Sequence, residues 1–383
     1  MKIGVVCYPT FGGSGVVATE LGIQMAKKGH EVHFITYSQP VRLDIFEPNI
    51  YYHEVNVQDY PLFEYQPYEL ALSSKMVDTV LTEGIDILHV HYAIPHAYAA
   101  YMAKKILLEK GIYIPVVTTL HGTDITLVGK NPSYKPAVTF SINKSDIVTS
   151  VSQSLKENTL RSFVVKNQIE VIPNFVDLSL YQQDVPCKRS QIAPNGEKII
   201  THISNMRSVK RIPDIINIFH RIQKAEESIL LMIGDGPERE KAEQQAKDLG
   251  IYSKVKFLGK TTEIKKLLCM SDLFLLTSAT ESFGLVALEA MAAKVPVISS
   301  NAGGIREVNV HGVTGYLSTI GDVETMANYS LTLLQNPELH EQFRKNAYAR
   351  AKDFSIDIIV PKYEEVYQRA LASIKKGKEN NPV

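Results

Sequence analysis

The 383-residue chain has no excess of charge of either sign. Lys+Arg and Asp+Glu number 41 each, which removes the electrostatic case for a nucleic-acid partner or an anionic membrane surface. No apolar run approaches the roughly 20 residues that cross a bilayer, so no membrane span is expected. The opening MKIGVVCYP passes from a short apolar run into glycines and lacks the length and cleavage site of a signal peptide. Cysteine is scarce: Cys7, Cys187 and Cys269 are odd in number and far apart. That argues against a disulfide framework. No two of them have metal-ligand spacing, so neither a metal nor a bound cofactor is expected. What remains is a reduced, cytoplasmic, enzyme-sized protein, too long for one ordinary core and suited to two domains.

What is present is strand, turn and helix, repeated. KIGVVCY reads as a buried strand, and VVATELGIQMAKKG as a helix with Val17, Leu21 and Met25 on one stripe and Gly29 as its stop. EVHFITY, IDILHVHY, IPVVTTL, SDIVTSV and IEVIP follow as strands. Runs this apolar are covered on both faces, as in a parallel sheet between helices. The stretch from Gln182 to Lys198 is polar and carries two prolines. After it IITHIS, SILLMIG, VKFLG, DLFLLTS and VPVIS repeat the pattern. The expected fold is α/β, two doubly wound Rossmann-like domains facing across a cleft, over 1–170 and 171–355. A last helix, 356–376, is free to pack back onto the first domain, and 377–383 is expected to be disordered.

Ligands of open α/β sheets bind beyond the carboxyl ends of the strands, so the loops there carry the chemistry. After the first strand come Gly12, Gly13, Ser14 and Gly15, opening a helix whose free amides suit a phosphate. A plain tight turn is the competing explanation. The dinucleotide spacing is absent, because Ala18 stands in its third position, and no Gly-Lys-Ser/Thr follows, so an NAD enzyme or an NTPase is disfavoured. After VVTTL comes His121-Gly-Thr-Asp124, either a turn histidine or a ligand-facing one. Asn205, Arg207, Lys210 and Arg211 follow IITHIS; basic turn residues are often merely solvated, but at a strand end they suit a polyphosphate. Gly234 to Gly236 make a turn or a backbone contact to base or ribose.

ATESFGLVALEAMA carries Glu281 before a helix and Glu289 two turns inside it. Ser282 is the expected N-cap, leaving the amides of Phe283, Gly284 and Leu285 as anion donors, with room at Gly284 for a phosphate. Glu289 stands in an otherwise apolar segment, where a carboxylate suits the vicinal hydroxyls of a ribose. The two acids have different tasks, unlike the pair that flanks one bond in a glycosidase.

These residues resemble the retaining, two-domain nucleotide-sugar glycosyltransferases of the GT-B class, family four, over the whole chain. The most specific part is E-x7-E, Glu281 to Glu289; the glycine-rich loop, HGTD, RSVKR, IPNFVD and NAGGIREV support it. The resemblance implies that Glu281 faces the donor sugar, Glu289 the ribose, and Arg207 with Lys210 or Arg211 the diphosphate. Met206 and KRIP stand where the family has a glycine before the arginine and a Lys-Gly pair after it, so the choice between Lys210 and Arg211 stays open. It further implies a donor site in the second domain and an acceptor site in the first. CYPTFGGSGVVATELG, HVHYAIPHA and LHGTDITLVG are most similar to the branch that opens bacillithiol biosynthesis, which implies UDP-N-acetylglucosamine as donor and L-malate as acceptor. The inositol-phosphate branch of mycothiol synthesis is also similar, and some UDP-sugar 2-epimerases share the architecture. A non-catalytic sugar-nucleotide sensor is the third class.

Asp-x-Asp occurs nowhere, so arginine, lysine and helix N-termini are expected to replace a metal clamp, with the departing phosphate taking the acceptor proton and His121 steadying the sugar. No arginine lies in residues 91–160, so the acceptor carboxylates are expected to meet Gly13, Ser14, Tyr92, Thr119, Thr123 and Lys130 or Lys135, or Arg306 from GGIRE. Oligomeric state is left open, a homodimer being the alternative to a monomer.

Overall fold

The computed structural model describes residues 1–10, 12–57, 64–182 and 187–380. The chain divides into two compact units. One comprises Met1–Asn174 together with the chain from Asp357 onward; the other is Phe175–Ile356.

The first unit has strands β1 Lys2–Val6, β2 Glu31–Thr36, β3 Ile50–Glu54, β4 Ile87–His91, β5 Val116–Leu120, β6 Ile147–Ser150 and β7 Ile169–Val171. They form one parallel sheet in the order β3-β2-β1-β4-β5-β6-β7. Alternation along a strand assigns its two faces. In β4, Leu88 and Val90 enter an apolar layer with Leu72 and Met76 of the helix Tyr68–Glu83 and Ala103 and Leu107 of the helix Tyr98–Glu109. His89 and His91 point the other way. There the last helix, Ile356–Asn380, sets the Tyr363 and Tyr367 rings 5.5 Å from His89. Both tyrosines are fully buried.

The second unit has β8 Lys198–Ile203, β9 Ser228–Ile233, β10 Val255–Gly259, β11 Leu273–Leu276, β12 Val297–Ser300 and β13 Gly315–Ser318, parallel in the order β10-β9-β8-β11-β12-β13. The helix Ile212–Gln223 buries Ile212, Ile215, Ile216, Phe219 and Ile222, the i, i+3, i+4, i+7 stripe of a core-facing helix. In each sheet the strand order reverses once, between β1 and β4 and between β8 and β11. Loops part at such a reversal and leave room for a ligand at the strand ends.

Three expectations change. β3 and β13 are additional strands; both are sheet edges, half exposed, so they lack the continuous apolar run of a buried strand. The last helix runs to Asn380 rather than 376, since lysine and glutamate sustain a helix across the one glycine; residues 381–383 lie outside those described. Cys187 and Cys269 form a disulfide with Cα atoms 6.1 Å apart, so a fully reduced set is corrected. Their separation of 82 residues says nothing of distance once the fold brings Cys187, inside the polar stretch, against the end of the helix Ile264–Cys269. Cys7 remains a buried thiol, its pKa pushed up to about 12 by burial.

Candidate active site

At the β8/β11 reversal the two loops are sewn together. The Ala279 amide donates to the Val209 carbonyl at 2.8 Å, and the Thr277 hydroxyl to the Lys210 carbonyl at 2.8 Å. This sets Lys210 Nζ 2.7 Å from Glu281 Oε2, with the Ser278 hydroxyl donating to the same oxygen at 3.2 Å. The side chains are 18% and 15% exposed, so water screens this pair less than a surface bridge. Arg211 is turned away. Its backbone is left-handed, φ +51°, and its guanidinium binds Asp214 at 2.5 Å. The structure therefore brings Lys210, and not Arg211, to Glu281. Arg207 is exposed and carries no ion pair among the described residues; Asn205 beside it is also exposed.

The expected cap at Ser282 is corrected too. The helix starts at Leu285, and Gly284, with φ +96°, is its cap. Glycine is favoured there by that left-handed backbone, which side chains rarely adopt. Phe283 faces inward, its ring 5.6 Å from Phe354, so only its backbone is left to meet a ligand. Glu289 lies one turn into the helix and is 6% exposed, buried as its apolar neighbours imply. The Gly304 amide donates to the Glu281 carbonyl at 2.8 Å, which is what the NAGGIREV turn contributes here. Gly234 lets its turn press on the β8 loop: a Cβ would sit 1.9 Å from the Ser204 carbonyl oxygen.

At the β1/β4 reversal the groups are hydroxyls and uncharged imidazoles, with one carboxyl behind them. The Tyr92 hydroxyl donates to Ser14 Oγ at 2.7 Å, and the Thr123 side chain also reaches that phenol. The Tyr92 ring is 5.3 Å from His121. His121 Nε2 and His91 Nδ1 share a 2.8 Å hydrogen bond, and His96 Nδ1 donates to the His91 carbonyl. Burial holds His121 and His89 down to about 3 and His96 to about 4, so these rings are uncharged at neutral pH. Asp124 receives the amides of Ala93 and Gly122 at 2.8 and 2.9 Å and so fixes the turn after His121; burial pushes its pKa up to about 6. Thr119 is corrected: it is fully buried, and its hydroxyl is held 2.7 Å from His89 Nε2 and 2.7 Å from Thr149. The helix of the first loop begins at Gly13. Gly15 is required by its own loop, since a Cβ would sit 2.4 Å from the Tyr8 carbonyl oxygen. Lys130 and Lys135, both exposed, line one open groove with Pro132, Pro136, Thr139 and Phe140.

The buried histidines His89, His91 and His202 were not among the expected site residues. Their signal is in the sequence: a polar ring inside an otherwise apolar strand run, as in ILHVH and IITHI.

The sequence pattern described as Glycosyl transferases group 1 matches residues 187–350, and that described as Glycosyltransferase Family 4 matches residues 11–180. The N-acetyl-alpha-D-glucosaminyl L-malate synthase of Bacillus anthracis is 47% identical over 384 residues, 99% of each chain. The phosphatidylinositol N-acetylglucosaminyltransferase GPI3 subunit of Saccharomyces cerevisiae is 23% identical over 88% of this chain and 76% of its own. Among solved structures, Anabaena HepE in complex with UDP-glucose matches with a TM-score of 0.81 at 23% identity, over 96% of this chain and 100% of its own. A glycosyltransferase from Rickettsia africae matches with a TM-score of 0.79 at 21% identity, over 97% and 98%. These two structural matches speak for the fold. Shared sequence along the whole chain, with two parallel α/β sheets, makes this protein a hexosyltransferase of the GT-B fold that belongs to the family 4 glycosyltransferases.

Proposed function

We propose that the chain transfers N-acetylglucosamine from UDP-N-acetylglucosamine to the hydroxyl of L-malate, with retention and without a metal ion, as the first step of bacillithiol biosynthesis. The observation that carries the proposal is the 47% identity to the Bacillus anthracis synthase along 99% of both chains. No helix of the described residues is long and apolar enough to cross a membrane; a cytoplasmic location is part of the proposal.

In this proposal the second unit holds the donor. Arg207, exposed and without an ion pair among the described residues, meets the diphosphate, and Lys210 bridges it to Glu281. A preorganised cation of this kind contributes about 3–4 kcal/mol to stabilising the charge that develops on the leaving group. Glu289 accepts the ribose hydroxyls, and Glu281 the sugar hydroxyls. The amides of Gly284 and Leu285 lie at a helix N-terminus, where an anion is favoured. The anomeric C–O bond breaks toward UDP, the malate hydroxyl attacks the same face, and its proton passes to the departing phosphate oxygen. No protein nucleophile is needed.

The first unit holds the acceptor. Gly13, Ser14, Tyr92 and Thr123 supply neutral donors, Lys130 or Lys135 a cation, and neutral His121 positions the sugar. A UDP-release assay with UDP-N-acetylglucosamine against L-malate, D-malate, succinate and inositol phosphate tests this. Turnover with L-malate well above the others is expected. Equal turnover with all, or with inositol phosphate alone, rejects the acceptor. Consumption of the UDP-sugar with no acceptor present marks an epimerase.

A further inference from the structure

Strand β8 ends in a buried histidine to which no role has been given. His202 is fully buried, and its Nδ1 lies 2.9 Å from the Leu275 carbonyl oxygen. A carbonyl only accepts, so Nδ1 carries the proton. Nε2 is then a bare acceptor, 2.8 Å from Ser204 Oγ, which donates to it. Ser204 Oγ in turn accepts the Met206 amide at 3.1 Å. Burial holds the His202 pKa down to about 4, so the ring is neutral at pH 7, as this chain of bonds requires. Every link has one polarity, and the chain runs from the β11 carbonyl to the residue before Arg207.

Met206 needs such a tether. Its φ of +42° is left-handed backbone, which costs a non-glycine residue about 1–3 kcal/mol. Its side chain is buried among Ile212, Ile215 and Ile216, and its carbonyl accepts the Glu238 amide at 2.9 Å. Met206 is therefore held through its amide, its carbonyl and its side chain, and Arg207 leaves from a fixed point. Leu275 lies two residues before Thr277, whose hydroxyl holds the Lys210 carbonyl. One strand thus ties down both ends of the cationic loop.

We propose that His202 is a positioning residue: through Ser204 and Met206 it fixes the point from which Arg207 reaches the diphosphate of the nucleotide sugar. This rests on the role given to Arg207 above. A histidine that merely satisfies the core would affect stability and leave diphosphate binding alone.

The test is UDP affinity by titration calorimetry on the full chain, with the Tm of each variant. Ser204→Ala removes the bridge with little change in packing and is expected to weaken UDP about fivefold, the scale of one lost hydrogen bond. His202→Phe is expected to match it. His202→Gln, whose amide oxygen can accept from Ser204, is expected to recover most of the loss. Added to Arg207→Ala, Ser204→Ala is expected to change nothing further. Native UDP affinity in Ser204→Ala, or a loss that adds in full to that of Arg207→Ala, overturns the positioning role alone. Native UDP affinity in Arg207→Ala overturns the assignment of Arg207, and the positioning role with it.

Discussion

The two units share one order over their first six strands and equip its switch point in opposite ways. In the second, the loops after β8 and β11 present charge: an exposed Arg207 with no ion pair among the described residues and a half-buried Lys210–Glu281 pair at 2.7 Å. In the first, the loops after β1, β4 and β5 present hydroxyls and uncharged imidazoles, backed by a buried carboxyl at Asp124. A fold of this kind only supplies the strand ends; the side chains set there decide what is bound. Charge suits a leaving diphosphate, whose negative charge grows during the reaction. Neutral donors suit a group that must be oriented while its hydroxyl stays a nucleophile.

The largest effect that would sharpen this contrast is at Arg207. Arg207→Ala should lower kcat about a hundredfold or more, the scale of a lost transition-state donor. Steady-state kinetics showing native kcat would put the diphosphate elsewhere. Next is the division of labour between the acids. Glu289→Ala should weaken UDP about tenfold, through loss of hydrogen bonds to a charged group. Glu281→Ala should leave UDP unchanged or tighter, because it frees Lys210 for the phosphates. Equal losses in the two variants would show that the roles are not separable.

The third contrast is in response to acid. His89, His96 and His121 have folded pKa values of about 3 to 4, below the unfolded value of 6.5, and His91 is also well below it. Their contribution is full above pH 6.5 and is lost as pH falls toward 4, since the unfolded chain takes up more protons. Asp124, raised from 3.8 to about 6, acts in the opposite sense: its contribution is present below pH 3.8 and lost as pH rises through 6. The histidines outnumber it. In the second unit His202 is the fully buried counterpart. Amide exchange, corrected for intrinsic rates, should therefore show the first unit losing protection severalfold more than the second between pH 7 and pH 5. Equal loss would mean that the imidazoles are not the cause.

The smallest effects are expected in the exposed groove. Lys130→Ala or Lys135→Ala should raise the malate KM a few-fold, as befits a solvated charge, and spare the donor KM. If neither variant does, another group holds the carboxylate.

The doubly wound pattern was legible because strands buried on both faces read as apolar runs. The edges β3 and β13 were not, since each is open to water on one side. Glu289 stood out as an acid among apolar residues, and the helix buries it. Which of Lys210 and Arg211 meets Glu281 could not be read from two adjacent basic letters. It turns on the left-handed backbone at Arg211, which aims that side chain at Asp214. Thr119 was misplaced for a related reason: it lies on a strand whose two faces are both buried, and nothing in VVTTL tells which threonine faces His89. The cap failed because Gly284, three residues past Glu281, takes the turn that Ser282 was expected to make.

The most direct measurement is NMR of the full chain with UDP-N-acetylglucosamine and L-malate, with and without EDTA. The expected spectrum shows an α-linked N-acetylglucosaminyl malate growing in step with UDP, at the same rate in both samples. A β-anomer would contradict retention, loss of the signal on chelation would contradict charge stabilisation by Arg207 and Lys210, and UDP released without a malate adduct would contradict the acceptor.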